Sequence, residues 1–250
     1  MVLNDQAFMR YSRQLLLEEF GPGAQEKIQA AKVLIVGLGG LGSPVALYLA
    51  AAGVGKLTVA DDDQLHITNL QRQILYRTAD LDQDKALLTK RELLRLNPLC
   101  EVEAITKRLV GETLTAAVSA ADLVLDCSDN MATRHAVNKA CFDAGKTLVS
   151  GAAVGFSGQL FVLEPPYTQG CYACLYPDHE TPMRNCRTAG VLGPVVGVIG
   201  TLQALEALKI IAGMGSALSG KLRLFDGKQQ SWCTVQLTRS AVCTVCGEHP

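Results

Sequence analysis

The sequence predicts an α/β fold, in which a doubly wound, Rossmann-like and mostly parallel sheet is continued by an antiparallel C-terminal sheet. Three observations predict it: strands and helices alternate over the first 150 residues, a glycine-rich turn follows the first strand, and strands of alternating polarity occupy the remainder. Two Cys-x-x-Cys pairs add a structural zinc staple with four cysteine ligands. A chain of 250 residues has room for one large domain of this kind.

The first half of the chain alternates between strands and helices. Short apolar runs predict buried parallel strands, and the longer amphipathic or small-residue runs between them predict crossover helices. The expected strands are residues 32–36, 56–60, 101–106, 123–126 and 147–150, and the expected helices are residues 41–52, 85–96, 111–120 and 132–144. Right-handed crossovers then place helices on both faces of one sheet.

The second half has a different character. Residues 158–163, 221–225 and 233–237 alternate in polarity, as in an antiparallel sheet with one wet face. Between them, residues 165–185 form a Cys- and Pro-containing stretch that is longer than an ordinary connection. We therefore divide the chain into an N-terminal helical segment (1–30), a Rossmann-like region (31–152) and a region with the C-terminal sheet, crossover loop and zinc site (153–250).

Charge and composition limit the classes of function. Lys plus Arg number 23 and Asp plus Glu number 24, and the net charge of −1 excludes nucleic-acid binding through bulk positive charge. Residues 191–213 approach a membrane-spanning length, but Glu206 and Lys209 within them predict a buried helix and no membrane. The first thirty residues lack the apolar stretch of a signal peptide, and an odd count of nine cysteines favours reduced thiols or metal ligands. A cytoplasmic location is expected.

A glycine-rich turn follows the first strand. Gly37, Gly39 and Gly42 form a G-x-G-x-x-G pattern that also contains Gly40, at the point where the strand gives way to a helix. Glycine permits the sharp turn and lets phosphates approach the amides at the helix N-terminus. Asp61 ends the next strand, where a carboxylate binds ribose hydroxyls. The pattern predicts a nucleotide site without naming the nucleotide, and an NAD-dependent dehydrogenase has the same features.

Extra charged residues near this turn favour a triphosphate. Arg72 lies in the polar run 68–73, Lys85 begins a helix, and Asp129 follows the strand 123–126 at its ligand-binding end. A dehydrogenase has to neutralise only a pyrophosphate, so it needs fewer cations than a protein that binds a triphosphate. ATP with Mg²⁺ uses both side chains, and Asp129 is then a candidate Mg²⁺ ligand. The alternative treats Arg72 and Lys85 as solvated surface charges and Asp129 as the N-cap of the next helix.

Two cysteine pairs give the strongest single motif. Cys171 and Cys174 form one chelating knuckle, and Cys243 and Cys246 form the other. Four thiolates complete a closed tetrahedral Zn²⁺ site that ties the C-terminal tail to the long loop. Two redox-active dithiols or a pair of disulfides are the alternatives.

Five further cysteines remain. One of them, Cys186, lies between Arg184 and Arg187, which favour its thiolate form and make it a candidate reactive thiol. The others lie in or beside regular elements, and we expect them to be buried small apolar side chains: Cys100, Cys127, Cys141 and Cys233.

In combination these motifs closely resemble the ThiF/MoeB/HesA family, the adenylyltransferases that activate ubiquitin-like sulfur carriers. The resemblance covers essentially the whole chain and is carried by residues 10–14 (RYSRQ), 33–44 (VLIVGLGGLGSP), Asp61, 68–73 (TNLQRQ), Lys85, 126–130 (DCSDN) and the two cysteine pairs. Tyr172, residues 175–178 (LYPD) and residues 184–190 (RNCRTAG) look more like the thiamine-pathway branch. The molybdopterin-pathway branch is the near alternative.

The resemblance implies a reaction and a set of site residues. Such proteins bind ATP·Mg²⁺ and a small carrier, whose terminal Gly-Gly carboxylate attacks the α-phosphate to give an acyl-adenylate. Arg13 is implied to reach the nucleotide of the partner subunit in a homodimer, and Cys186 to form an acyl disulfide or persulfide, with a cysteine desulfurase or another sulfur donor as a further partner. The implied nucleotide contacts are Gly37, Gly39, Gly40, Gly42, Asp61, Asp63, Thr68, Asn69, Leu70, Gln71, Arg72, Lys85, Asp129 and Asn130.

Three functions follow from these residues and the resemblance. Carrier adenylylation uses every motif, and the carrier tail is expected to cross the second-half sheet near residues 155–159. NAD-dependent oxidoreduction explains the glycine turn and Asp61 but leaves Arg72, Lys85 and Asp129 without a role. A zinc-stapled binding platform without turnover is the third.

Overall fold

The computed structural model describes residues 3–177 and 190–247. In chain order the helices are α1 (Asp5–Leu15), α2 (Gly21–Ala30), α3 (Gly42–Ala52), α4 (Lys85–Leu96), α5 (Gly111–Ala120), α6 (Met131–Asp143), α7 (Tyr172–Leu175) and α8 (Gly193–Ala212). The strands are β1 (Lys32–Val36), β2 (Lys56–Ala60), β3 (Glu101–Ile105), β4 (Leu123–Asp126), β5 (Thr147–Val154), β6 (Ser157–Leu163), β7 (Lys221–Asp226) and β8 (Ser231–Gln236).

All eight strands belong to one sheet, in the order β3-β2-β1-β4-β5-β6-β7-β8. Neighbours from β3 to β5 are parallel, and those from β5 to β8 are antiparallel. The predicted fold class is therefore confirmed. The strand order reverses between β1 and β4, and ligands of open α/β sheets bind outside the carboxyl ends of strands at such a point.

Two apolar clusters cover the two faces of the sheet. Successive residues of a strand point to opposite faces, so Leu34 and Ile35 of β1, both fully buried, belong to different clusters. The cluster of Ile35 includes residues of α3, α4 and α8, and the cluster of Leu34 includes residues of α5, α6 and α7. This two-sided burial explains why the parallel strands are continuously apolar.

Helix α8 packs closely on the hairpin formed by β5 and β6. A Cβ atom added to Gly158 would lie 2.4 Å from Ile199, and one added to Gly151 would lie 2.4 Å from Gln203. Among the described residues, α8 is the one helix long and apolar enough to cross a membrane, and half of its most apolar stretch is buried inside the fold. It is a helix of the protein core, as predicted.

Most predicted elements agree with the structure to within one residue, and strands β5 and β8 differ by more. Strand β5 extends to Val154 because it continues into the hairpin with β6. The division that the sequence suggested after residue 152 thus falls inside strand β5, and the three-part division stays a prediction. Strand β8 begins at Ser231 and is the sheet edge, with every residue exposed. The expectation that Cys233 is buried is therefore wrong, because no element covers this strand among the residues described.

Gln203 ties α8 to two adjacent strands. Its buried side-chain nitrogen donates to the backbone oxygens of Asp126 (2.9 Å) and Val149 (3.3 Å). We expect Gln203→Met, which keeps the volume but removes the donor, to lower the free energy of unfolding by about 2 kcal/mol, because buried carbonyls lose a partner. Urea denaturation measures this change. Gln229→Met, at an exposed hairpin, is the control and should stay within about 0.5 kcal/mol.

Candidate nucleotide site and four-cysteine centre

The glycine turn between β1 and α3 lies against the end of β4. Gly37 has φ +89°, and a Cβ added there would lie 2.8 Å from the backbone oxygen of Cys127. A Cβ added to Gly42 would lie 2.0 Å from the backbone oxygen of Gly37, and one added to Gly40 would lie 2.8 Å from Val196. The glycines are thus required by the close packing of the turn as well as by any phosphate it would receive.

Asp61 holds this turn from the end of β2. Its Oδ2 accepts a hydrogen bond from the Leu38 amide at 2.7 Å, and its Oδ1 accepts one from the Asp63 amide at 2.9 Å. Burial raises the pKa of Asp61 above its usual value, while the nearby Lys85 and the two amides act in the opposite direction. A carboxylate has further acceptor capacity on each oxygen, so this carboxylate can support the loop and still meet a ribose hydroxyl.

The two predicted cations lie beside the glycine turn. Lys85 is only 4% exposed, and its Nζ lies 2.9 Å from Oδ2 of the exposed Asp63. The alternative reading of Lys85 as a solvated surface charge is wrong, because α4 begins in the interior. Arg72 is half-buried, its Nη1 donates to the Thr68 backbone oxygen at 3.0 Å, and its Cγ lies 3.4 Å from the position of a Cβ on Gly40.

The remaining predicted residues of the 68–73 run shape the backbone. Asn69 accepts a hydrogen bond from the His66 amide at 3.1 Å and so caps a short 3₁₀ turn, whereas Thr68 and Gln71 are exposed and Leu70 is half-buried. Gln73 received no role from the sequence. It is 4% exposed, its Oε1 is buried without a hydrogen-bond partner, and its Nε2 lies 3.4 Å from a Cβ built on Gly39. The indication in the sequence that Gln73 belongs to the site was its position at the end of the 68–73 motif.

The turn after β4 contains Asp129 and Asn130. Asn130 is the N-cap of α6, since its Oδ1 accepts from the Thr133 amide at 2.9 Å. The alternative in which Asp129 caps this helix is therefore wrong, and its side chain is exposed at the switch point. An exposed carboxylate oxygen is a suitable ligand for Mg²⁺, which keeps several waters.

A buried polar group that the sequence analysis did not assign supports this turn. Asp126 is 1% exposed, and its carboxylate accepts from the Ser128 amide (3.0 Å), the Ser128 hydroxyl (2.7 Å) and the Ser150 hydroxyl (3.2 Å). The buried Arg134 donates to the Ser128 backbone oxygen at 2.7 Å. Ser128 is thus fixed on both sides, immediately before Asp129.

Arg13 does not reach the glycine turn of its own chain. It is exposed on α1, whose neighbouring side chains Arg10 and Gln14 donate to the backbone oxygens of Leu96 and Ala52, at the C-terminal ends of α4 and α3. The glycine turn lies at the opposite end of α3, about 16 Å away for a helix of 11 residues. The structure therefore separates Arg13 from the other predicted residues.

The four predicted cysteines converge into one centre. All four sulfur atoms lie within 4.8 Å of one another, with 3.6 Å between Cys171 and Cys243 and 3.3 Å between Cys174 and Cys246. Zinc bound at about 2.3 Å to four thiolates requires sulfur separations of about 3.8 Å. These cysteines are free thiols, so the disulfide reading is wrong, and separate redox pairs do not explain the convergence. The donor set fits a closed structural metal site.

Backbone and side-chain donors surround the sulfurs. Asn138 donates to Cys171 at 3.5 Å, and the Ser240 amide donates to Cys174 at 3.4 Å. Burial acts to raise the pKa of Cys243, but the Cys246 and Val245 amides, each 3.5 Å from its sulfur, help to lower it to about 7. Such donors stabilise thiolates, which are the metal-binding form.

Cys186, the candidate reactive thiol, lies outside the described residues. The next described residue after it is Gly190, whose backbone oxygen accepts a hydrogen bond from the Gly155 amide at 2.8 Å. On the other side of Cys186 in sequence, Tyr176 contacts the sheet, since its hydroxyl donates to Oε1 of Gln159 at 2.7 Å.

The fold and this site define a class, the Rossmann-like nucleotide-binding proteins with a four-cysteine centre. The ThiF family model matches residues 11–245. The chain therefore belongs to the ThiF family, as the motifs predicted.

Several named relatives resemble the chain over almost its full length. The sulfur carrier protein ThiS adenylyltransferase of Escherichia coli is 56% identical and aligned over 98% of this chain and 97% of its own. The molybdopterin-synthase adenylyltransferase of the same species is 42% identical over 98% and 99%. A crystal structure of E. coli MccB with ATP superposes with a TM-score of 0.81 at 28% identity, over 95% of this chain and 73% of that one.

We expect the purified protein to contain about one zinc ion per chain. Cys246→Ser should release the ion and lower the Tm by about 10 °C or more, because metal binding to such a site contributes to folding free energy. Elemental analysis and thermal unfolding with and without a chelator measure both effects. The control is Cys233→Ser, at the exposed cysteine of β8, which should retain zinc and Tm. A purified protein that contains no metal and whose Tm is unchanged by the chelator would contradict the assignment of a zinc site.

Proposed function

We propose that this chain is an ATP-dependent adenylyltransferase that activates the C-terminal glycine carboxylate of a small ubiquitin-like sulfur carrier of the ThiS type. The observation that carries the proposal is the convergence of the glycine turn, Asp61, the buried Lys85 and Arg72 at one edge of the sheet. The 56% identity to a ThiS adenylyltransferase over nearly the whole chain supports the choice of substrate. The product would later receive sulfur in the synthesis of the thiamine thiazole.

The reaction requires positioning and charge neutralisation more than acid–base chemistry. The carrier carboxylate attacks the α-phosphorus of ATP, a new bond forms between carboxylate oxygen and phosphorus, and pyrophosphate leaves with the electrons of the broken bond. Because the nucleophile is already an anion, no protein base is needed. Arg72 and Lys85 neutralise the phosphates, and the amides of the glycine turn donate to them. Asp129 would hold Mg²⁺, which supplies further positive charge to the phosphates when bound.

Lys85 and Gln73 are suited to contact phosphates directly. Lys85 is buried, so its charge acts through a medium of low dielectric constant and its attraction for a phosphate is correspondingly large. Its partner Asp63 is exposed and free to turn towards solvent when a phosphate replaces it. Gln73 presents an amide beside Gly39 and adds a neutral donor to the same loop.

The carrier is proposed to bind on the face of the antiparallel strands that lies opposite α8. Gln159, Leu224 and Cys233 are directly paired across β6, β7 and β8 and share this face. Leu224 is 37% exposed and Val235, on the same side of β8, is 46% exposed. The extended carrier tail would run from this apolar patch over residues 155–159 to the nucleotide.

The enzyme is proposed to act as a homodimer in which Arg13 completes the partner's site. The family resemblance implies that Arg13 contacts a partner subunit's nucleotide, and its distance of about a helix length from its own glycine turn is consistent with that role. The adjoining helices α3, α4 and α8 each carry a large exposed apolar side chain, and these are Tyr48, Leu87 and Leu205. Such residues favour contact with a second copy.

A role in sulfur transfer is proposed for Cys186. Cys186 is proposed to take up sulfur when its thiolate attacks the outer sulfur of a persulfide on a cysteine desulfurase or another donor, whose own thiolate then leaves. The Cys186 persulfide would attack the acyl-adenylate of the carrier, with AMP as the leaving group, and so form an acyl disulfide. A cytoplasmic, reducing compartment would keep this thiol and the four zinc-binding thiolates reduced. Activation of a molybdopterin-type carrier is the second candidate, because a relative with that function is 42% identical over the whole length.

ATP–pyrophosphate exchange with Mg²⁺ tests the function. We expect exchange with a ThiS-type carrier and none with the same carrier lacking its Gly-Gly tail, because the tail carboxylate is the nucleophile. A molybdopterin-type carrier in parallel distinguishes the two branches. Tight ATP binding without exchange, for any carrier, would contradict adenylylation and favour a binding platform, and turnover of a nicotinamide cofactor would favour oxidoreduction.

Arg72→Ala should lower the exchange rate by about 100-fold or more, because one fixed donor to developing charge is removed. Steady-state exchange kinetics with saturating carrier measure the change. Arg95→Ala, at an arginine that is 73% exposed and forms an ion pair with Glu92 on α4, is the matched control and should leave the rate unchanged. Equal rates for both variants would remove Arg72 from the site.

A further inference from the structure

Tyr172 lies inside a cysteine knuckle yet points away from the sulfurs. It separates Cys171 from Cys174 in sequence, is 2% exposed, and its hydroxyl donates to Sδ of Met131 at 2.9 Å. Met131 is the first residue of α6, and this helix begins directly after the turn that contains Asp129. The knuckle therefore contacts the start of a helix that belongs to the nucleotide site.

A chain of polar contacts continues from Tyr172 to that turn. The Tyr172 hydroxyl interacts with the buried guanidinium of Arg134, and burial raises the pKa of this tyrosine to about 12. Arg134 in turn donates to the Ser128 backbone oxygen at 2.7 Å. On its other side, Ser128 donates through its amide and hydroxyl to the buried Asp126. The residue before Asp129 is thus held by two buried ionisable groups.

A second contact fixes the knuckle on α6. The Oδ1 of Asn138 accepts from the Tyr172 amide at 2.9 Å, and its Nδ2 donates to the Cys171 sulfur at 3.5 Å. Asn138 is fully buried, so both hydrogen bonds are made without competition from water. The first knuckle and the first two turns of α6 therefore form one polar unit that extends from a metal ligand to the Asp129 turn.

The hydroxyl of Tyr172 is the informative group. Its ring is stacked on Phe161 with centroids 5.8 Å apart and meets His135 edge-on at 5.0 Å, and a phenylalanine would keep both contacts. Only the hydroxyl reaches Met131 and Arg134. If Tyr172 served packing alone, its hydroxyl would have no reason to face a buried guanidinium.

We propose that Tyr172 is a positioning residue, through which the zinc-bound knuckle orients Arg134 and the Asp129 turn for Mg²⁺·ATP. The knuckle then affects the Mg²⁺ requirement of adenylylation through the Tyr172 hydroxyl, in addition to joining the C-terminal tail to the rest of the fold. The inference rests on the proposed function, because it takes Asp129 as the residue that holds Mg²⁺. Tyr172 would act indirectly, through Arg134 and the Asp129 turn, because its own side chain contacts neither the substrate nor a metal ion.

The experiment compares Tyr172→Phe with Tyr167→Phe in the full chain. Tyr167 is a matched control, since it is buried in the same apolar cluster and its hydroxyl donates to a backbone oxygen, that of Lys146, away from α6's first turn. For each protein we would measure zinc content, Tm, the Mg²⁺ concentration for half-maximal pyrophosphate exchange, and the KM for carrier. Hydrogen exchange at the amides of residues 128–130 gives a readout that does not depend on activity.

The expected result separates the Mg²⁺ requirement from carrier binding. Tyr172→Phe should keep zinc and the KM for carrier, raise the Mg²⁺ requirement by about tenfold, as loss of an outer-shell partner does, and speed hydrogen exchange in the turn. Tyr167→Phe should match the wild type in all four quantities. The proposal is overturned if the two variants have the same Mg²⁺ requirement and the same hydrogen exchange in the turn.

A second variant keeps the test decisive if Tyr172→Phe releases zinc or unfolds. Arg134→Lys retains the charge but cannot bridge the Ser128 oxygen and the Tyr172 hydroxyl together. It should raise the Mg²⁺ requirement with zinc intact, and the double variant should show less than the sum of the two effects. An unchanged requirement in Arg134→Lys also overturns the proposal. Failure of the wild type to catalyse exchange would instead contradict the proposed function, and the hydrogen-exchange comparison would still decide the positioning role.

Discussion

The close approach of the β1–α3 turn to the end of β4 is the contact on which the structure depends. Gly37 and Gly42 permit backbone atoms to meet where any side chain would collide, and Asp61 holds the turn through the Leu38 amide. Because the turn is packed against β4, the N-terminus of α3 faces the strand-order reversal. The shape of this edge of the sheet, where we propose that the nucleotide binds, is therefore a consequence of backbone packing.

Buried polar groups extend that edge into the protein. Lys85, Asp126 and Arg134 are all less than a tenth exposed, and burial of such groups is costly unless each has partners. Their partners are backbone oxygens, hydroxyls and one exposed carboxylate, so the groups are fixed in place. Apolar residues of similar volume often stabilise a core at least equally well, so stability alone does not explain these groups.

The four-cysteine centre joins segments that are distant in sequence. The knuckle near residue 171 and the tail near residue 243 meet there, and Asn138 fastens the centre to α6. Helix α6 also begins directly after the turn that contains Asp129, so one helix connects the centre with the proposed nucleotide edge. Strands β7 and β8 lie between these segments in sequence and form one end of the same sheet. The four-cysteine centre and the proposed nucleotide edge are thus parts of one continuous framework.

The sequence by itself determined the fold class, the glycine turn with Asp61, and the four-cysteine centre, because periodicity, turn chemistry and ligand spacing are properties of short segments. Only the tertiary structure decided which polar groups are buried and what they contact. Lys85 is interior and paired with Asp63, Asn130 rather than Asp129 caps α6, and Cys233 lies on an uncovered edge strand. The physical reason is that the burial and the hydrogen-bond partners of a side chain depend on segments that are far apart in the chain. A local sequence pattern does not show which of these segments come together.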